Sequence, residues 1–297
     1  MLPASHYWNE LFQKYVTRSL DLTTERFDAR LEYANRHLEN FLAVRPAKTE
    51  GFSVCELGTG WFPVVPLGLF LCGSGECWTF DIAPLLSVAR LRETFERFEE
   101  FDRSGALGRR LPRLKKDRLE RMRAVALEAG ETPAEKVLEK LGIHVCVRDA
   151  QDTGLAGGSI DLFASTGVLE YIPEPVLKKI LLEFKRAGSV NAVQSHYLNL
   201  VDQYHYFDSS ITPFNFLKFP ADRWKYLNSP LTWLNRLRIS DYRRLFAETG
   251  YEITKEDNTR GKPEDLKKVQ LAPEFQNYSE ADLLVLISWL AAKPAGT

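Results

Sequence analysis

The sequence predicts a doubly wound α/β fold: a mostly parallel sheet covered by helices on both faces. Three observations carry that expectation. Between Phe52 and Asp81 a strand, a glycine turn, a helix and a second strand follow one another, which makes a βαβ unit. Further apolar runs of strand length then alternate with helical stretches, the pattern of parallel strands joined by crossover helices. Each early run also ends on glycine, acid or hydroxyl residues, and open α/β sheets bind ligands just beyond those ends.

Composition sets the outer bounds. The chain has 297 residues, enough for two units or one large α/β domain with additions. It is 44% hydrophobic and 27% charged, which is ordinary globular usage. The net charge of -1 disfavours nucleic-acid binding by bulk charge. The four cysteines, Cys55, Cys72, Cys77 and Cys146, form no C-x-x-C pair, and three lie in apolar runs. Buried reduced thiols are expected, and with them a cytoplasmic location. No signal peptide is recognised, and no apolar stretch reaches the ~18 residues of a membrane span. The expected organisation is an N-terminal helical segment over residues 1–50, then a single domain over 51–297 with insertions at about 90–140 and 197–238.

In order along the chain, Phe27, Leu31, Ala34, Leu38 and Leu42 recur at helical spacing, with Thr23 or Thr24 as cap and Pro46 as stop. Residues 52–57 are the first strand, ending at Gly58-Thr59-Gly60. Pro63 opens a helix that Gly73 ends, and residues 76–81 are the second strand. Pro84 starts another helix. Leu91, Phe95, Phe98 and Phe101 mark one apolar edge in a charged block too polar for a core strand. Residues 142–147, 159–165 and 190–196 are the third to fifth strands, with a helix at 174–186 between the last two. A helix over 241–249 follows the aromatic insertion, with Ser240 at its N-cap and Gly250 at its end. Residues 251–253 and 283–290 are late strands.

The strand ends collect the candidate site. The first supplies Glu56, Gly58, Thr59 and Gly60; the second Asp81, followed by Ile82; the third Asp149 and Ala150; the fourth Thr166; the fifth His196. Glycine lets a ligand approach the backbone and permits positive φ. Asp81 follows Gly58 at the spacing of an acid that accepts from ribose hydroxyls. Asp149 suits an exocyclic amine, and the Ala150 N–H a ring nitrogen. The third glycine of a pyrophosphate fingerprint is missing; Trp61-Phe62-Pro63 stands there, which argues for a nucleoside without phosphates over a dinucleotide.

Val54-Cys55-Glu56-Leu57-Gly58-Thr59-Gly60 resembles the first motif of the class I S-adenosylmethionine-dependent methyltransferases. Asp81 matches that family's ribose-binding acid, and Arg148-Asp149-Ala150 its adenine-contacting turn. Residues 161–173 are similar to its fourth strand and following loop, and residues 241–253 to its last helix and sixth strand. Four motifs in order, across roughly residues 50–90 and 143–290, are more specific than any one. The resemblance implies a Rossmann-like seven-stranded sheet with the last strand antiparallel, and S-adenosylmethionine as cofactor. Two departures stand out: the missing third glycine, and Tyr171 where many members carry His. The insertions are not general family features and are expected to build the substrate pocket. Residues 204–219 and 235–242 resemble bacterial members acting on sugars or natural products.

The expected function is transfer of a methyl group to the oxygen of a small-molecule acceptor, by in-line displacement. Positioning contributes about 7–11 kcal/mol in such reactions, and a hydroxyl acceptor also needs a base. His196 is the first candidate and His205 the second. Tyr171, Tyr204, Tyr206 and Trp224 would wall the acceptor, and Arg236 or Arg238 would hold an anionic group on it. Each choice has a plainer reading, as a core histidine, a packed aromatic or a solvated charge. Asp202, His205 and Asp208 have spacing compatible with Mg²⁺, but surface polar residues commonly fall so, and no metal is expected. Residues 101–123 carry nine Lys or Arg and three acids. That run supports a rival reading as an RNA or protein methyltransferase, although such runs are usually solvated helix faces. Further rivals are a non-catalytic nucleoside-binding protein and an NAD(P) oxidoreductase.

Overall fold

A computed structural model describes residues 21–130, 132–228 and 233–296. Seven strands form one sheet: β1 (Val54–Leu57), β2 (Cys77–Asp81), β3 (Ile143–Val147), β4 (Ile160–Thr166), β5 (Gly188–Asn199), β6 (Tyr251–Arg260) and β7 (Val285–Pro294). Their order is β3-β2-β1-β4-β5-β7-β6, and β7 runs antiparallel to both of its neighbours. This is the doubly wound, Rossmann-like sheet with an antiparallel last strand that the sequence predicts. The order reverses between β1 and β4, so their carboxyl ends frame the natural ligand crevice.

The sheet alternates strictly between two cores, as a period of two requires. Val54 and Leu162 face a layer built by α1 (Thr24–Val44), α2 (Val64–Leu71), α3 (Val88–Arg103) and their neighbours. Cys55 and Phe163 face the opposite layer, built by α7 (Glu174–Ala187) and α9 (Ile239–Glu248). Between α3 and β3 lie the short helices α4 (Ala106–Arg110), α5 (Lys116–Ala126) and α6 (Ala134–Glu139); α8 (Ala221–Leu227) lies in the second insertion. The Thr23 hydroxyl caps α1, accepting from Arg26 N at 3.3 Å. That helix packs into the same core as β1, with the Ala34 methyl 2.8 Å from where a side chain on Gly68 would begin. The part of the N-terminal segment before residue 21 lies outside the described residues.

Several boundaries differ from the sequence reading. Helix α3 starts at Val88, with the Ser87 hydroxyl accepting from Arg90 N, rather than at Pro84. Strand β5 continues to Asn199, so Tyr197 is a strand residue facing Trp289 across the ladder, and the second insertion begins later. Strand β6 runs to Arg260, well past Ile253. Ser240 is not the N-cap of α9: its hydroxyl donates to Asp282 Oδ2 at 2.6 Å, and Arg238 takes the cap position. The second insertion closes its own small core of Phe214, Phe216, Trp224 and Leu234 against Leu266 and Phe275, which come from the β6–β7 connection. Among the described residues, no helix is long and apolar enough to cross a membrane.

Candidate functional site

The turn after β1 is bonded tightly to β2. Gly58 N donates to Phe80 O at 2.7 Å, and Gly60 N donates to Asp81 Oδ2 at 3.0 Å. Ala83 N donates to Asp81 Oδ1 at 3.2 Å. Gly58 and Gly60 have φ of +90° and +61°, the left-handed region where a side chain is strained. Burial raises the Asp81 pKa, opposed by the backbone N–H groups of Gly60, Ala83 and Ile82. A carboxylate has about four acceptor directions. The bonds from Gly60 N and Ala83 N leave Asp81 acceptor directions for hydroxyl donors. The Ile82 side chain beside it is exposed.

Under this turn lies a buried polar chain. Thr79 Oγ1 donates to Glu56 Oε2 at 2.9 Å and shares a 2.6 Å hydrogen bond with Thr59 Oγ1. Glu56 is 4% exposed, and burial pushes its pKa up to about 8, against the pull of Thr79 and of Arg30 from α1. Burial lowers Arg30, and Glu56 raises it. The charges of this acid and this guanidinium thus act on each other at the end of β1.

The other strand ends are less uniform. Arg148 N donates to Asp81 O at 2.9 Å, which brings the β3 turn beside Asp81. The Asp149 carboxylate accepts from Gln151 N and Nε2 at 2.8 and 2.6 Å, so it folds into its own turn. Ala150 is buried against that layer. Thr166 Oγ1 lies 3.1 Å from His37 Nε2, on the side covered by α1. Glu56, Gly58, Thr59, Gly60 and Asp81 therefore form one bonded cluster, Asp149 and Ala150 stand one strand away, and Thr166 stands beyond the switch point.

The acceptor-side expectations need correction. His196 is fully buried beside Phe246, with Nδ1 hydrogen-bonded to Ser165 Oγ at 2.8 Å and Nε2 to Gln194 Oε1 at 3.0 Å. Both ring nitrogens are occupied, so no acceptor reaches it as a base. His205 uses Nδ1 to donate to Ile211 O at 2.6 Å, which ties it into the cap. Trp224 is buried and donates to Leu234 O. Arg236 is buried over Trp224 and Phe275; it donates to the carbonyls of Phe216 and Phe219 and pairs with Glu274. Arg238 donates to the carbonyls of Leu200, Leu283 and Val285. These three residues tie the insertion together through contacts within the chain. Tyr171, Tyr204 and Tyr206 are all exposed in part. The candidate metal ligands do not converge: Asp202 accepts from Tyr204 N and Asn215 Nδ2, and Asp208 from Ser210.

Sequence reading missed the second face of α1. Arg30, Tyr33, His37 and Asn40 recur at spacings of three and four and lie over the strand ends. His37 Nδ1 and Asn40 Nδ2 both reach Ser195 Oγ, at 2.8 and 3.0 Å. Tyr33 stacks on Tyr197. The polar stripe beside the apolar one was the available signal.

The buried groups predict a pH dependence of stability. Glu56 and Glu170 sit near pKa 8 in the fold, against 4.5 ordinarily. Above pH 4.5 the unfolded chain releases these protons and the native state keeps them, so stability falls as pH rises toward 8. Burial holds His37 and His196 near 3, against 6.5 ordinarily, so their contribution is present above pH 6.5 and is lost on acidification. Between pH 6.5 and 8 only the carboxyl effect remains. The melting temperature should fall across that interval in a thermal scan, and Glu170→Gln should remove part of the fall. A flat profile would contradict this.

No protein-family model and no curated sequence matches the chain. Solved structures match its path. An S-adenosylmethionine-dependent methyltransferase from Mesorhizobium loti aligns at 13% identity and TM-score 0.44, over 84% of this chain and 95% of that one. A SAM-dependent methyltransferase from Methanosarcina mazei aligns at 13% identity and TM-score 0.45, over 85% and 96%. Geranyl diphosphate C-methyltransferase from Streptomyces coelicolor, solved with Mg²⁺, geranyl diphosphate and S-adenosyl-L-homocysteine, aligns at 10% identity and TM-score 0.46, over 87% and 79%. At these identities the likeness is one of fold.

Proposed function

We propose that the protein is an S-adenosylmethionine-dependent methyltransferase acting on a small molecule. The observation that carries this reading is the bonded cluster at the switch point: two left-handed glycines joined through Gly60 N to Asp81, above buried Glu56. It suits a nucleoside and offers no third glycine for a pyrophosphate. Asp81 would accept from the ribose hydroxyls, the Ala150 turn would border the base, and Glu56 with Arg30 would take the amino and carboxylate ends of the amino-acid tail. When bound, the cofactor supplies an electrophilic methyl group on sulfonium. The chain's own part is to fix that group and its acceptor on one axis.

Oxygen methylation with a histidine base loses its support, because His196 is enclosed. The RNA reading is also weakened. Arg110 pairs with Asp28, Lys115 with Glu50, and Arg123 with Glu99 and Asp102, while Arg118 donates to Ser74 O and Arg121 to Lys140 O. That basic run is largely bound to the protein itself. Burial of Cys55, Cys72 and Cys77 as free thiols fits a reducing, cytoplasmic setting.

Isothermal calorimetry tests the reading. S-adenosylhomocysteine should bind in the micromolar range, with no salt-sensitive binding of polynucleotide. Heat with NAD and none with S-adenosylhomocysteine would overturn it.

A further inference from the structure

Beside the glycine turn the rim gathers phenols around one acid. Tyr33 and Tyr197 stack with ring centroids 4.8 Å apart. Tyr206 shares hydrogen bonds with the Asn199 amide. The charge of Glu170 acts on Tyr171, Tyr197 and Tyr206, and Tyr206 also feels Tyr33, so four hydroxyls and one carboxyl share a neighbourhood. Tyr171 and Tyr206 open it to solvent, at 39% and 55% exposure. Val168, two residues before Glu170, packs directly on Gly58, which places this box next to the turn.

Glu170 itself is 2% exposed. Its Oε1 accepts from Asn199 N at 3.2 Å, while its Oε2 is buried without a hydrogen-bond partner. Burial is opposed only by backbone N–H groups, its own and that of Asn199; no cationic side chain contributes. Arg238 lines the small cavity behind it, but its terminal nitrogens donate to backbone carbonyls. Without a counter-charge the buried acid keeps its proton near neutral pH, and a cation bound beside it would draw it into the carboxylate form.

We propose that this box is the acceptor site and that it takes an amine, with Glu170 as counter-charge and the tyrosines around the nitrogen. The inference rests on the methyltransferase reading above. For a tertiary amine that enters as its free base, its ammonium proton left to solvent beforehand, the transfer itself balances without a base. The nitrogen lone pair forms the new N–C bond, the C–S bond breaks with its electrons on sulfur, and one sulfonium charge becomes one ammonium charge. No proton moves. The charge migrates toward the phenols, whose faces attract cations. An alcohol would instead have to shed a proton, and His196 is out of reach.

The test uses the full chain saturated with S-adenosylhomocysteine. Choline serves as a product-like quaternary ammonium and 3,3-dimethylbutan-1-ol as its neutral isostere, both titrated by calorimetry. Choline should bind at least about tenfold tighter than the alcohol. Glu170→Gln should remove that preference while leaving the alcohol's affinity in place. Tyr206→Ala, at a half-exposed position that does not threaten folding, should weaken choline several-fold. Equal affinity for the two probes, no binding of choline, or a preference kept in both variants would overturn the proposal. Failure of S-adenosylhomocysteine itself to bind would instead remove the methyltransferase reading.

Discussion

Gly58→Ala is expected to abolish S-adenosylhomocysteine binding and to lower folding stability by about 2–5 kcal/mol. The backbone at Gly58 has φ +90°, where an L side chain costs about 1–2 kcal/mol. The added methyl would also stand 2.4 Å from Val168 Cγ2, closer than any real contact. Val168 leads directly into buried Leu169 and Glu170, and its Cβ and Cγ1 also lie within 3.6 Å of the new methyl, so a change of rotamer alone does not clear the space. Overpacking of that kind costs roughly 1–3 kcal/mol. The displaced turn would carry with it Gly60 N, which is tied to Asp81. Gly60→Ala is the control. Its φ is +61°, but nothing lies within 4 Å of the new methyl, so only the backbone cost applies. Thermal melts and calorimetry on both variants check the expectation. Gly58→Ala binding as tightly as the unaltered chain would refute the role of this turn.

The sheet was legible where strands are buried on both faces. Strands β1 and β4 are mostly apolar runs, each broken by one acid, Glu56 or Asp161, that stop at glycine or hydroxyl residues, and both lie where expected. Strand β6 was legible only at its start, because Glu252, Lys255, Asp257 and Arg260 of this edge strand leave no apolar alternation. The cofactor side of the site was legible because it is made of consecutive residues at strand ends. The acceptor side was not, and His196 shows why. Its position at a strand end fixes the rim it stands near, but the face depends on parity. Ser195 points to α1 and its His37 and Asn40, whereas His196, one residue on, points to Phe246 of α9. Arg236 and Arg238 failed for another reason. An arginine in a loop has the same sequence signature whether it holds a substrate anion or its own chain's carbonyls.

Asp81→Ala is the second large effect, with an expected loss of S-adenosylhomocysteine affinity of about 2–4 kcal/mol, roughly 30- to 1000-fold. Two losses combine. The ribose hydroxyls lose a charged acceptor, at about 1.5–3 kcal/mol per bond of this kind. The backbone N–H groups of Gly60 and Ala83 lose theirs as well, which frees the turn that must meet the nucleoside. Asp81→Asn separates the two contributions poorly, since an amide NH₂ would face one of those N–H donors. The pH profile separates them better. Burial raises the Asp81 pKa, so acidification protonates the carboxyl earlier than an exposed aspartate and removes an acceptor direction. Affinity of the unaltered chain should therefore fall toward acid pH, and the alanine variant should lose that component. If the variant binds normally with an unchanged profile, Asp81 acts only within the turn, and the nucleoside must be held elsewhere on the rim.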